Sequence, residues 1–87
     1  MRDIIRKIID SFQDFEYDME TTANNWVIFF WDKDDNKFFF ELPNKKNKTE
    51  RLPKAKIYSN NKWHYYEDGV DKLIIKIKYI YGEKETI

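Results

Sequence analysis

The chain has 87 residues, of which 41% are apolar, 18% are aromatic and 37% are charged. This composition predicts one folded domain with one modest core and excludes a disordered chain. The absence of cysteine excludes a disulfide framework, a thiol nucleophile and the cysteine-based zinc sites, and no apolar run approaches the roughly 18 residues that a membrane-spanning helix needs.

The formal net charge is zero, but the charges are unevenly distributed along the chain. Residues 1–43 hold five basic and ten acidic residues, whereas residues 44–87 hold eleven basic and six acidic residues. Such an asymmetry indicates either two solvated faces of one molecule or a charged partner.

The first predicted element is a helix over residues 3–13. Its apolar side chains recur with the spacing of one helix face, at Ile4, Ile5, Ile8, Ile9 and Phe12. Asp3 stands at the start, where a carboxylate stabilises the helix dipole. Because isoleucine is a mediocre helix former, burial against the rest of the fold must hold this helix.

Three strands are predicted next. Residues 16–21 alternate strictly between acidic side chains and Tyr, Met or Thr, which predicts a half-buried strand. Residues 26–31 and 37–42 flank the turn formers of residues 32–36, so together they predict a β-hairpin. Both hairpin strands are apolar on both faces: Trp26, Ile28, Phe30, Phe38 and Phe40 against Val27, Phe29, Trp31 and Phe39. One face must therefore meet the helices, and the other must meet more protein or a partner.

A second hairpin is predicted around Asn60 and Asn61. Residues 44–54 are polar, basic and bounded by prolines, which predicts a long loop. Two asparagines between apolar strands suit a type I′ turn, because both central residues need a positive φ. The strands of this hairpin are predicted over residues 57–59 and 62–66.

The last predicted element is a helix that begins after Gly69 and ends at Gly82. Its apolar residues share one helical face, at Val70, Leu73, Ile74, Ile77, Ile80 and Tyr81. Residues 73–81 also alternate as a strand would. Acidic residues near the start and lysines near the end favour the helix.

These elements predict an α+β fold in a single domain over residues 1–87. It has an N-terminal helix, a small antiparallel β-sheet of about four or five strands in hairpins, and a C-terminal helix packed on one face. Phe30, Phe38, Phe40 and the isoleucines of both helices are expected to share one core.

The sequence offers little for catalysis, and we expect no enzymatic activity, no cofactor and no metal site. His64 is the only histidine, and Ser11 and Ser59 are the only serines. Neither serine stands at a strand-to-helix turn of the kind that exposes a nucleophile. Residues 32–36 match the first half of an EF-hand loop but lack the later glycine and glutamate, which favours a simple turn.

Two charged sets with neighbouring aromatic residues are candidate binding surfaces. An acidic set would face a basic groove on another protein: Asp14, Glu16, Asp18, Glu20, Asp32, Asp34 and Asp35. Trp31, Phe39 and Trp63 would anchor that partner, since interface hot spots favour aromatic residues.

The alternative is nucleic-acid binding by the basic and aromatic segment 45–66. Its candidate residues are Lys45, Lys46, Lys48, Arg51, Lys54, Lys56, Lys62 and Tyr65. A sequence pI of about 6.6 argues against this alternative, because dedicated nucleic-acid-binding domains are usually strongly basic.

The order of the elements resembles that of small phage anti-CRISPR inhibitors. The resemblance covers residues 1–42 at the level of pattern: a short helix beginning Asp3-Ile4-Ile5-Arg6-Lys7-Ile8, an acidic strand and a hairpin with an Asp-Asn turn. It implies an inhibitor with a helix–sheet–helix layout that occupies the DNA-binding cleft of a CRISPR nuclease. Those inhibitors are strongly acidic, and this chain departs from them in its zero net charge. Its thirteen lysines, eleven isoleucines and seven asparagines are typical of an AT-rich genome.

The sequence therefore predicts a small non-catalytic protein-binding module, a phage or mobile-element inhibitor of a larger host protein such as a nucleic-acid-processing defence enzyme. The alternatives are an accessory nucleic-acid-binding protein and a self-assembling subunit that forms a homodimer through its hairpin face. The charged N-terminal stretch differs from a secretory signal, so we expect a cytoplasmic location in a bacterial host cell and no membrane association.

Overall fold

The computed structural model describes residues 2–43 and 52–85, which form two helices and five strands. In chain order they are α1 (Arg2–Ser11), β1 (Glu16–Thr21), β2 (Asn25–Trp31), β3 (Lys37–Pro43), β4 (Lys54–Ser59), β5 (Lys62–Glu67) and α2 (Val70–Glu85). The strands form one antiparallel sheet in the order β1-β2-β3-β4-β5. The predicted α+β class, with helices at both ends of the chain, is confirmed.

Two element boundaries differ clearly from the predicted ones. β4 begins at Lys54, within the predicted loop, because residues 54–56 continue the antiparallel pairing with β3. α2 continues through Gly82 to Glu85, so the prediction that Gly82 ends the helix is wrong. A glycine inside a helix costs only about 1 kcal/mol, and the Glu-Lys-Glu sequence that follows consists of good helix formers. The helical interpretation of α2 itself is confirmed.

The core lies between one face of the sheet and the two helices. The register pairs Phe30 with Phe38 and Ile28 with Phe40, so these side chains point to the same side. The rings of Phe30 and Phe38 stack with centroids 4.7 Å apart, and Phe12 of α1 lies 4.7 Å from Phe38. The helices add these buried side chains to the same cluster: Ile8 and Phe12 from α1, and Leu73, Ile74 and Ile77 from α2. The predicted shared core is confirmed for the three phenylalanines and for most isoleucines of the helices, whereas Ile4 and Ile75 are exposed.

β1 is an edge strand, and all six of its residues are exposed. Tyr17 and Met19 pair with Phe30 and Ile28, so they share the core side of the sheet as the alternation predicts. They are nevertheless 49% and 40% exposed, and a shallow groove lies between Tyr17 and α1. The prediction of a half-buried strand is wrong because alternation selects a face but does not determine whether another element covers it.

The β4–β5 turn has the predicted geometry. Asn60 and Asn61 both have positive φ, at 55° and 66°. Asparagine tolerates this left-handed region, which a two-residue type I′ hairpin turn requires at both positions. The turn fixes the register of the hairpin, in which Ser59 opposes Lys62 and Tyr58 opposes Trp63.

Tyr81 connects the last part of α2 to the sheet through its hydroxyl group. Its hydroxyl donates a hydrogen bond to the carbonyl oxygen of Lys37 at 3.0 Å, and it lies 3.4 Å from the carbonyl oxygen of Tyr58. Lys37 and Tyr58 are paired residues of β3 and β4, so one side chain contacts two central strands. Burial raises the pKa of Tyr81 to about 12, and the negative charge of Asp32 acts in the same direction.

We therefore expect the stability to fall as the pH rises from 10.0 to about 12. The folded-state pKa of Tyr81 lies above its unfolded value. The neutral phenol therefore contributes its full stabilisation below pH 10.0, and this contribution is lost as the pH rises to about 12. Urea unfolding of the wild type and Tyr81→Phe across this range measures the effect. The variant loses one hydrogen bond at neutral pH, but its stability should decline less at alkaline pH. Parallel pH profiles would contradict the assignment, since lysine titration is common to both proteins.

Candidate binding surface

No described element covers the sheet face opposite the helices within residues 2–43 and 52–85, and we call it the open face. Residues directly opposite each other in an antiparallel sheet point to the same side, so the register places alternate residues of every strand here. In strand order they are Glu16, Asp18 and Glu20; Asn25, Val27, Phe29 and Trp31; Lys37, Phe39, Glu41 and Pro43; Lys54, Lys56 and Tyr58; and Trp63, Tyr65 and Glu67. Each of these residues is exposed or half-buried.

Aromatic rings form a connected band across the open face. The centroids of Phe29 and Phe39 are 5.0 Å apart, and those of Phe39 and Trp63 are 5.6 Å apart. Trp63 in turn lies 5.4 Å from Tyr58. Trp31, Trp63 and Tyr65 are 40%, 46% and 52% exposed. A contiguous set of large apolar side chains left in water is the usual mark of a binding surface.

Carboxylates border this aromatic band along β1, and lysines lie within it. Glu16, Asp18 and Glu20 follow one another along β1 at intervals of about 6.8 Å, two residues of an antiparallel strand. Within residues 2–43 and 52–85, none of these three carboxylates takes part in an ion pair. Lys37 and Lys56 lie beside the rings instead, with their Nζ atoms 4.7 Å from the Tyr58 centroid and 5.8 Å from the Phe39 centroid. The open face thus has a negative border along β1, whereas lysines and Glu41 lie together on its inner strands.

The predicted acidic set divides into two groups in the fold. Glu16, Asp18 and Glu20 lie on the open face. Asp14 precedes β1, whereas Asp32, Asp34 and Asp35 belong to the connection between β2 and β3. Because Glu16 pairs with Trp31, the last residue of β2, these four residues lie at one end of the sheet.

Asp32 organises the connection in which it lies. Its Oδ1 accepts hydrogen bonds from the backbone N–H groups of Asp34 and Asn36, each at 2.9 Å. Its Oδ2 accepts one from the side-chain amide of Asn36 at 3.0 Å. Asp32 therefore has a structural role that explains its presence without a partner.

Asp32→Ala should lower the free energy of unfolding by about 1–2 kcal/mol, because it removes the acceptor of three hydrogen bonds at a half-buried position. Asp34→Ala is the matched control in the same turn. Its side chain is exposed, so its effect should stay within about 0.5 kcal/mol. Thermal or urea unfolding measures both, and equal losses would show that Asp32 has no special role in the turn.

The predicted aromatic set and part of the basic set lie together on the open face. Trp31, Phe39 and Trp63 are all there, as are Lys54, Lys56 and Tyr65. Lys62 is separated from them, because it pairs with Ser59, whose side chain is buried on the core side. The predicted residues Lys45, Lys46, Lys48 and Arg51 lie outside the described residues.

Lys37 completes the band but was not among the residues that the sequence suggested for a binding surface. Phe29 was predicted on the same face as Trp31 by strand alternation, and Tyr58 lies within the predicted basic and aromatic segment. Tyr58 opposes Trp63 across the Asn60-Asn61 turn, a register that a two-residue turn already implies. The ammonium group of Lys37 lies 4.7 Å from the Tyr58 centroid, a contact that depends on the pairing of β3 with β4.

The groups considered for catalysis are bound to the backbone. His64 is half-buried, and its Nε2 lies 3.1 Å from the carbonyl oxygen of Ser59. The Ser11 hydroxyl donates a hydrogen bond to the carbonyl oxygen of Lys7 at 2.7 Å. In the part of the chain that the structure describes, no cluster of three or more His, Asp or Glu side chains is placed to hold a metal ion.

The two helices of the described chain also differ from membrane spans. Neither is long and apolar enough to cross a bilayer. No family model matches the chain, and no curated protein or solved structure is significantly similar to it.

Proposed function

We propose that the protein is a small non-catalytic protein-binding module whose working surface is the open face. The exposed aromatic band is the observation that carries this proposal, because the opposite face of the same sheet already packs both helices. Protein interfaces place aromatic residues at their centre and charged residues at their rim. The band with its acidic border has this arrangement.

The charge of the open face favours a protein partner over nucleic acid. The face holds five carboxylates (Glu16, Asp18, Glu20, Glu41 and Glu67) and three lysines (Lys37, Lys54 and Lys56). Nucleic-acid binding depends mainly on neutralising phosphates, so this excess of negative charge opposes it. Nucleic acid remains the second candidate because Lys56 lies beside the Phe39 ring, as in a stacking platform with phosphate contacts.

The partner that fits presents an apolar patch bordered by basic side chains. Such a partner would pair with the carboxylates of β1 while Trp31 and Phe39 anchor the centre. The DNA-binding cleft of a nucleic-acid-processing defence enzyme would supply the basic side chains of such a partner. The assignment to a phage inhibitor of such an enzyme rests on this fit and on the resemblance to anti-CRISPR inhibitors.

Affinity capture with three baits tests the proposal in cells that carry the gene. The baits are the wild type, Trp31→Ala with Phe39→Ala, and the control Ile75→Ala with Tyr79→Ala, which truncates two exposed side chains of α2. We expect a target that the wild type and the control retain and the open-face variant loses. Nuclease treatment separates a protein target from one bridged by nucleic acid. A target retained equally by all baits, or lost only by the control, would reject the open face.

The inhibitor assignment has its own test. DNA cleavage by a type II-A CRISPR nuclease is measured in the presence of the purified wild-type chain and, separately, of the variant with Trp31→Ala and Phe39→Ala. Inhibition by the wild type and not by the variant supports the assignment. Undiminished cleavage with both would remove this class of nuclease as the target and leave the protein-binding proposal to the capture experiment.

A further inference from the structure

We propose that a second copy of this chain covers the open face when the target is absent, in a face-to-face dimer. Its two-fold axis runs parallel to the strands, between β2 and β3. The inference rests on the proposed function, since it takes the open face as the working surface. It adds the occupant of that surface in the free protein.

The strand order determines which residues meet in such a dimer. A two-fold axis along the strands reverses the order of the opposing sheet, so β1 lies over β4 and β2 lies over β3. Residues at the same level along the strands then face one another. The register places Asp18, Phe29, Phe39 and Lys56 at one level. Asp18 of each copy therefore faces Lys56 of the other, and Phe29 faces Phe39.

The neighbouring levels add two attractive contacts and one unfavourable one, in which Val27 faces Glu41. Glu20 would face Lys54 at one level, and Trp31 would face Lys37 at the other, where a lysine over an indole ring is attractive. Each contact occurs twice because the interface is symmetric. Two sheets pack about 10 Å apart with their strands roughly aligned, a gap that lysine and aromatic side chains fill from both sides.

The other symmetric arrangements match fewer charges. An axis between β3 and β4, for example, pairs only Glu41 with Lys54 and leaves the β1 carboxylates uncovered. An axis perpendicular to the strands places β1 over β1 and brings the carboxylates of Glu16, Asp18 and Glu20 together from both copies. An axis along β3 places β1 over β5, whose open-face residues Trp63, Tyr65 and Glu67 offer no cation. Like charges in contact disfavour association, so charge complementarity selects the axis between β2 and β3.

The size of the overlap predicts a weak dimer. Four strands of six residues span about 19 Å by 20 Å, or roughly 400 Å² of flat sheet on each copy. This is about half of the roughly 800 Å² per partner of a standard stable interface. We therefore expect dissociation at micromolar or higher concentrations, so that a target with a larger contact area displaces the second copy.

Analytical ultracentrifugation at several protein concentrations tests the dimer with variants in which the charges of a predicted ion pair are reversed singly or swapped. The proteins are the wild type, Asp18→Lys, Lys56→Glu and the variant with both changes. We expect a concentration-dependent dimer for the wild type, at least about tenfold weaker association for each single variant, and restored association for the double variant, because the swap re-forms both contacts. Glu20→Lys with Lys54→Glu provides an independent second pair, and circular dichroism verifies folding.

A wild type that stays monomeric at every concentration, or association that neither single change weakens, would overturn the inference. Weakening without rescue in both pairs would overturn it as well. These outcomes are separate from those of the proposed function. If the wild type is monomeric but captures a target that the Trp31→Ala, Phe39→Ala variant loses, only the dimer is rejected. If the wild type forms the charge-dependent dimer but captures no target, only the target-binding function is rejected.

Discussion

Phe40→Ala should lower the free energy of unfolding by about 3–5 kcal/mol. Phe40 is fully buried at the centre of β3, where it pairs with Ile28 on one side and Ala55 on the other. Its ring lies 6.2 Å from that of Phe12, so the substitution opens a cavity between the sheet and α1. A loss of this size is a large part of the roughly 5–15 kcal/mol that stabilises a small domain. Urea unfolding measures this loss, with the same m-value (the dependence of the unfolding free energy on urea concentration) used for wild type and variant.

Phe39→Ala is the matched control, because it removes the same group one residue earlier from the open face. The Phe39 ring is half-buried there and contacts the rings of Phe29 and Trp63, so we expect a smaller loss of about 1–2 kcal/mol. Both variants are measured at a protein concentration too low for dimer formation, since association would add to the apparent stability. A loss below about 1 kcal/mol for Phe40→Ala would place this residue outside the core and contradict the described packing.

Asp18→Lys with Glu20→Lys should slow association with the captured target by about tenfold or more. The two carboxylates are exposed on an edge strand, and the one described hydrogen bond between them and the backbone is local, from the Met19 N–H to Asp18 Oδ1, so their reversal should leave the stability nearly unchanged. The salt dependence of the association rate should also become weaker, because the attraction that salt screens has been removed. Stopped-flow or surface-binding kinetics at two salt concentrations measure both effects.

Lys54→Glu with Lys56→Glu is the paired comparison on the same face. A basic protein target predicts little loss of binding from this change, whereas a nucleic-acid ligand predicts a large one. If the lysine reversal abolishes binding and the acidic reversal does not, the nucleic-acid alternative replaces the protein-binding proposal. Negligible effects from both would leave the aromatic band as the only source of affinity and reject the electrostatic part of the proposal.

Local pattern alone was sufficient to predict much of the fold. The period of two along β2 and β3 separates Phe30, Phe38 and Phe40 from Phe29 and Phe39, and the structure places these sets on opposite faces. The Asn60-Asn61 pair predicted a turn with two positive φ values, which the chain adopts. These features depend on residues close in sequence, so tertiary contacts were not needed to predict them.

Features that depend on the arrangement of distant elements were not predictable from the sequence. Alternation placed Tyr17 on the core side, but only the position of β1 at the sheet edge explains its exposure. Likewise, Asp18 and Lys56 are far apart in the sequence, and the strand order places them on one face with two strands between them. The sequence showed two opposite charge clusters, whereas their relation to the aromatic band required the order and register of all five strands.

Hydroxyl-radical footprinting of the chain with and without its captured target tests the open face most directly, because it reports the exposure of individual aromatic side chains. At a concentration too low for dimer formation, binding should reduce the oxidation of Trp31, Phe39 and Trp63 several-fold. Tyr79 of α2, which is 65% exposed, should be oxidised equally in both states. Unchanged oxidation of the three open-face residues together with protection of Tyr79 would place the target on α2 and contradict the central claim.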